Sequence, residues 1–183
     1  MDVCPDDELT RAALRAATGD RAALTAFIRA TQKDVWRFIA HLGHASTADD
    51  LTQETYLRAM KSISRFRAEA SAKTWLLSIA RRVCADEVRH DRSRPRVSPG
   101  VDWISAAEAR TSRPRWEDMV EVNLLLEDLP AERREALVLT QILGLSYQEA
   151  AEVTSTPIGT IRSRVARARE YLIAASTPHR RSV

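Results

Sequence analysis

Apolar residues recur along this chain at the spacing of a helix rather than a strand. Between Asp20 and Gly43 they fall at Leu24, Phe27, Ile28, Val35, Phe38, Ile39 and Leu42, with Thr31 filling the gap. Positions three, four and seven apart share one side of a 3.6-residue turn, so the stretch predicts an amphipathic helix with Asp20 as its N-cap. Residues 6–18 predict a shorter helix that Gly19 ends. Trp36 lies off the long stripe and suits a second packing face or, failing that, a contact surface. Gly43 is expected to stop the long helix, and Ser46 or Thr47 to cap the next one, over residues 48–60. There Leu51, Thr55 and Ala59 share one face. Asp50, Gln53, Leu57 and Met60 share another, flanked by Asp49 and Glu54, which makes that face both polar and apolar.

Residues 62–71 lack clear periodicity and read as a loop. Residues 72–92 predict a helix with Trp75, Leu76, Ile79, Val83 and Glu87 down one side, and Arg82, Arg89 and Arg92 down another. Residues 93–115 hold Pro95, Pro99, Gly100 and Pro114 among scattered Ser and Arg, which is linker composition; Trp103 and Ile104 are the apolar residues in it able to dock. Helical spacing resumes near Trp116, with Leu124, Leu125, Leu126 and Leu129. Pro130 opens a helix bearing Leu137, Val138, Leu139, Ile142 and Leu143, and Gly144 closes it. Ser146 with Glu149 three residues on forms a capping box for a short helix over 147–153. The turn Thr154-Ser155-Thr156 follows, and Pro157 suits the first position of a last helix. The expectation is an all-α protein of two small helical domains, residues 1–92 and 116–183, joined by a flexible linker over 93–115.

Glycine (5) and proline (7) are sparse in the 183 residues, in keeping with helices, and the length suffices for burial without metal or disulfide staples. The net charge of +3 says less than its distribution. Ten basic and four acidic side chains between Lys61 and Arg96 give +6, whereas residues 47–60 sum to −2. An acidic face beside a basic one suits two kinds of partner. Cys4 and Cys84 form no CxxC and read as a terminal thiol and a packing residue. No Gly-rich phosphate loop, HExxH or GxSxG occurs, and His41, His44, His90 and His179 pair with no nucleophile, so neither catalysis, cofactor, metal nor small-molecule substrate is expected. No apolar run is long enough for a signal peptide or membrane span, which points to the cytoplasm and no membrane insertion.

The segment LSYQEAAEVTSTPIGTIRSRVARARE has the spacing of a helix-turn-helix. Ile158, Ile161, Val165, Ala168 and Leu172 make a continuous apolar stripe. The opposite side presents Thr160, Ser163, Arg164 and Arg167, with Arg162 and Arg169 at its flanks. A helix lying in the major groove needs such an outer face. Arginine bonds guanine O6 and N7 with both arms of its fork, and other cations hold phosphates. Duplex DNA is therefore the expected partner of this helix.

SYQEAAEVTSTPIGTIRSRVARARE closely resembles the helix-turn-helix with which extracytoplasmic-function (ECF) sigma factors of the sigma-70 family read the −35 promoter element. DLPAERREALVLTQILGLSYQEAA resembles the preceding part of that domain, σ4. ADDLTQETYLRAM resembles the σ2 segment that grips the clamp helices of RNA polymerase, and RFRAEASAKTWLLSIARRVCADEVRH resembles the segments that melt and read the −10 element. All four stand in the family's order. The resemblance implies core RNA polymerase, through its clamp helices and flap, and promoter DNA as partners. An anti-sigma factor is a common further partner in that family, and no residue here identifies one.

Carried over position by position, it implies polymerase contacts at Asp49, Asp50, Gln53, Glu54, Tyr56 and Met60. It implies −10 contacts at Arg67, Ser71, Lys73, Trp75, Arg81, Arg82, Arg89 and Arg92, and −35 contacts at Thr160, Arg162, Ser163, Arg164 and Arg167. Trp75 also suits an ordinary core position. A dimeric repressor with the same helix-turn-helix leaves the acidic-apolar helix without a purpose, and the strand-helix alternation of a receiver domain is absent.

Overall fold

The computed structural model describes residues 5–93, 126 and 128–176. Helix α1 (Pro5–Ala17) ends at Gly19, whose φ of +96° is a left-handed conformation that a side chain would strain. Asp20 then caps α2 (Arg21–Ile39): its Oδ1 accepts from Ala23 N–H at 2.9 Å. That bond and the Arg15 guanidinium on Oδ2, 2.5 Å away, hold the carboxyl below its usual range.

The expected stop at Gly43 does not occur. The chain continues through a π-helical turn (Ala40–His44) and a 3-10 turn (Ala45–Thr47) straight into α3 (Ala48–Ser62). A glycine inside a helix costs only about 1 kcal/mol relative to alanine, and burial of Ala40 and His41 offsets it. Nor does Thr47 make a side-chain capping bond; Asp49 and Asp50 in the first turn supply negative charge at the positive end of the α3 dipole instead.

A 3-10 turn (Ile63–Arg65) and a short irregular stretch lead to α4 (Ala72–Ser93). Ser71 caps it by accepting from Thr74 N–H at 3.2 Å. The buried face of α4 is wider than the sequence stripe. Leu77, Ala80 and Cys84 are covered as well as Leu76, Ile79 and Val83. The reason is that α4 packs on two sides: against α1, α2 and α3, and against the C-terminal module.

That module holds α5 (Ala131–Leu137), a π-helical turn (Val138–Ile142), α6 (Tyr147–Thr154) and α7 (Ile158–Ser176). Gly144, at φ +73°, turns the chain so that Leu145 N–H reaches Leu139 C=O at 3.0 Å. The capping box forms: Ser146 Oγ accepts from Glu149 N–H, and Glu149 Oε2 accepts from Ser146 N–H. One apolar core runs through both modules, from Phe27 and Phe38 to Leu139, Ile161 and Val165. The expected linker, with Trp103 and Ile104, lies outside the described residues, as do Cys4, Trp116, Leu124 and Leu125. Among the described residues no helix is long and apolar enough to cross a membrane.

Candidate nucleic-acid interface

Three surfaces carry the side chains singled out above. The first is α7. Ile161, Val165 and Ala168 are fully covered against the helices that precede them. Arg162, Ser163 and Arg167 are therefore turned to solvent, while Thr160 and Arg164 are half-buried at the edges. The turn into α7 is held by Ser155 in a left-handed conformation, whose N–H bonds back to α6, and by Thr154 and Thr156, whose hydroxyls lie 2.8 Å apart. Arg169 is committed elsewhere: its Nη2 donates to Gln141 Oε1 at 2.5 Å.

The second surface is the outward face of α3. Asp49, Asp50 and Gln53 are exposed, and so are Leu57 and Met60, at 48% and 42%. Two large apolar side chains in water beside carboxylates make an adhesive patch with a polar rim. Two of its acids are steered by neighbours. Trp36 Nε1 donates to Asp49 Oδ1 at 2.9 Å, and Arg58 Nε donates to Glu54 Oε1 at 2.6 Å. Arg58 also reaches Asp86 of α4 at 2.5 Å, and these two carboxylates raise its pKa further. Tyr56 does not belong to this surface. It is buried, and since the Thr31 hydroxyl gives its proton to Phe27 C=O, Tyr56 O–H donates to Thr31 Oγ1 at 2.7 Å. Burial pushes the phenol up to about 12, so it stays neutral and joins α3 to α2.

The third surface is formed by α4 and the residues before it. A cavity of about 410 Å³ opens between them, lined by Arg65, Phe66, Arg67, Glu69, Ala70, Thr74, Trp75, Ser78, Arg82 and Glu152. Ala68, at φ +56°, bends the chain around it. Trp75 is half-buried and packs on Phe66 with ring centroids 5.1 Å apart, so it is both part of the core edge and a wall of the cavity. Arg67 is exposed and is steadied by bonds to Ser64 C=O and Phe66 C=O. Arg82 is exposed at the rim. Arg89 is exposed further along and pairs with Asp86; the side chain of Arg92 lies outside the described residues.

The remaining members of this set are engaged by the C-terminal module. Ser71 Oγ donates to Glu149 Oε1 at 3.3 Å. Lys73 Nζ donates to Leu143 C=O at 2.8 Å and pairs with Asp34 at 2.8 Å. Arg81 Nε donates to Glu135 Oε1 at 2.7 Å. Burial would raise the Glu149 pKa. Bonds from the Ser146 backbone and hydroxyl and from Ser71, with the charge of Lys73, outweigh it and hold the carboxyl below its usual range. Cys84 is buried, with a thiol pushed up to about 12 by burial and by the Glu135 charge, which leaves it protonated and inert. Among the described residues no three His, Cys, Asp or Glu side chains converge as a metal site. The pattern of the sequence placed Leu57 on the acidic-apolar face, although the resemblance did not carry it over as a contact; Phe66 as a cavity residue, and Glu135, Glu149 and Glu152 as groups facing α4, were missed.

The pair of helical modules thus presents an outward arginine helix, an acidic-apolar patch and a cation-lined cavity, surfaces of the kind that suit nucleic acid and a protein partner. Residues 27–94 match Sigma-70 region 2, and residues 119–172 match Sigma-70, region 4. The chain is 54% identical to the ECF RNA polymerase sigma factor SigC of Mycobacterium tuberculosis over 94% of either chain. It is 35% identical to the ECF RNA polymerase sigma factor EcfG of Rhodopseudomonas palustris over 72% of each. Its fold is similar to that of the sigma factor RpoE of Bartonella quintana, solved with the anti-sigma factor NepR, at a TM-score of 0.68 and 26% identity, covering 86% of this chain and 98% of that one. The chain belongs to the ECF sigma factors of the sigma-70 family, which makes it a promoter-specific factor of transcription initiation.

Proposed function

We propose a division of labour among the three surfaces. The outward face of α3, with Asp49, Asp50, Gln53, Glu54 and Met60 and with Leu57 added, seats the chain on the clamp helices of core RNA polymerase. The C-terminal module, residues 116–183, meets the polymerase flap and reads the −35 element through Arg162, Ser163, Arg164, Arg167 and Thr160. Residues 1–92 melt and read the −10 element, and residues 93–115 connect the two. In the −10 element, unstacking a base step costs a few kcal/mol, which capture of the extruded base and a cationic path for its strand offset. The cavity walled by Phe66, Trp75 and Arg67 suits that base. Ser71, Lys73, Arg81, Arg82, Arg89 and Arg92 suit the strand. The chain acts in the cytoplasm, and the bond-making chemistry belongs to the polymerase. By analogy with the NepR complex, an anti-sigma factor is a fitting regulator.

The observation that carries this reading is the pairing of two outward faces: exposed Arg162 and Arg167 opposite a fully covered stripe on α7, and exposed Gln53 on α3. Gel-shift assembly with core polymerase and promoter DNA tests it. Gln53→Ala/Glu54→Ala should lose polymerase binding, whereas Arg167→Ala should keep it and lose −35 dependence. A double α3 variant that assembles normally contradicts the assignment of that face.

A further inference from the structure

The two carboxylates that flank the outward face of α3 are each tied from a different side. Asp49, in the first turn, accepts from the Trp36 indole N–H of α2 at 2.9 Å. Glu54, further along, accepts from Arg58 Nε at 2.6 Å. The other arm of Arg58 does not end there: Nη1 holds Asp86 of α4 at 2.5 Å. Asp86 also pairs with Arg89, and Arg58 first and Arg89 second hold its carboxyl below the usual range. None of these groups is enclosed by the core. The side chains of Glu54, Arg58 and Asp86 are 42%, 39% and 40% exposed, and Trp36 is half-buried. Pairs this open to water add little to fold stability. What they fix is where the two carboxylates stand.

We infer that Trp36, Arg58 and Asp86 are positioning residues for polymerase binding: they hold Asp49 and Glu54 toward a cationic or N–H-bearing surface of the partner without needing to touch it themselves. The inference rests on reading α3 as the polymerase face. The two ties differ in kind. The indole N–H is neutral, so it orients Asp49 without cancelling its charge. The Arg58 guanidinium would cancel the charge of Glu54 if the two were alone. Because Arg58 is shared with Asp86, it cancels only part of it. A side chain already held in place loses less freedom when an interface closes, and affinity rises accordingly. Asp86 thereby acts on polymerase binding from α4, a helix whose exposed cations are assigned to DNA.

The test uses the full chain and core RNA polymerase, with no DNA. Unlabelled variants compete with the fluorescein-labelled wild-type chain for polymerase. Trp36→Phe keeps an aromatic ring and removes the N–H. Asp86→Asn keeps the shape and removes the charge that shares Arg58. Each should bind polymerase about threefold more weakly, the size expected for releasing one ordered side chain. The losses should also be specific to their partners. Trp36→Phe should lose nothing further in an Asp49→Ala chain yet still about threefold in a Glu54→Ala chain, and Asp86→Asn the reverse. A general loss of folding would persist in both backgrounds. Wild-type affinity of either single variant, or a loss undiminished in its partner's background, overturns the inference. Asp49→Ala and Glu54→Ala alone separate it from the reading beneath it. If both bind like wild type, the α3 assignment fails and the inference with it. If they bind weakly while Trp36→Phe and Asp86→Asn do not, only the inference fails.

Discussion

Arg81 of α4 and Glu135 of α5 meet at 2.7 Å across the junction of the two modules, with the carboxylate nearly covered. A covered carboxylate left without its partner costs more than the pair is worth when both are removed. Arg81→Met is therefore expected to destabilise the chain by about 2 kcal/mol in urea denaturation. Arg81→Met/Glu135→Gln should recover most of that loss. Equal destabilisation by the single and double variants would show that the two side chains are not coupled.

On α3 the exposed apolar side chains define the next prediction. Leu57→Ala removes about half-exposed surface from the free chain, so its stability should change by less than about 0.5 kcal/mol. In the assembled enzyme the same side chain is expected to be buried, and polymerase affinity should fall about tenfold or more. Competition for core polymerase against the wild-type chain measures it.

For α7, the fully covered Ile161 and the exposed Arg167 should separate stability from recognition. Ile161→Ala is expected to cost about 2–5 kcal/mol of thermal stability. Arg167→Ala should leave stability near wild type and weaken −35 recognition by about 1–3 kcal/mol if it contacts a base. If it contacts phosphate, the loss will be uniform across sequences and the salt dependence shallower. Binding of the assembled enzyme to −35 variants over a salt series distinguishes the two.

Acid should loosen the junction through Glu149. Its folded pKa lies below the ordinary value of 4.5, so its contribution is fully present above that value and is lost as pH falls through the lower folded one. The groups facing it are Ser146 of its own capping box and Ser71 and Lys73 of the opposite module. Distances between spin labels at Ala26→Cys and Ala166→Cys, in an otherwise unchanged Cys4→Ser chain, should broaden as pH drops below 4.5, and this Glu149-dependent part should vanish when Glu149→Gln is added.

Much of the fold was legible in the sequence because its helices are amphipathic with one buried side. The stripe Ile161, Val165, Ala168 fixed which arginines face outward, and Ser146 with Glu149 marked the start of α6. Legibility failed where a contact joins distant residues. Tyr56 sits on a helix with two plausible faces, and only the Thr31 hydroxyl, 25 residues away, shows why it turns inward. Gly43 was read as a stop from local propensity, which burial of its neighbours overrides. Glu149 was recognised as a cap, but its second task, facing Ser71 78 residues away, has no local signature. The acidic spacing of Glu149 and Glu152 on one face of α6 was the available hint.

Start-site mapping after in vitro transcription, with purified core polymerase and this chain on a pool of genomic fragments, asks whether the chain directs polymerase to promoters through its α3 face. Discrete start sites are expected that require the chain, share upstream and downstream sequence elements, and disappear with Gln53→Ala/Leu57→Ala. Transcripts unaffected by adding the chain, or sequence-specific duplex binding by the chain alone with no start sites, would contradict that role.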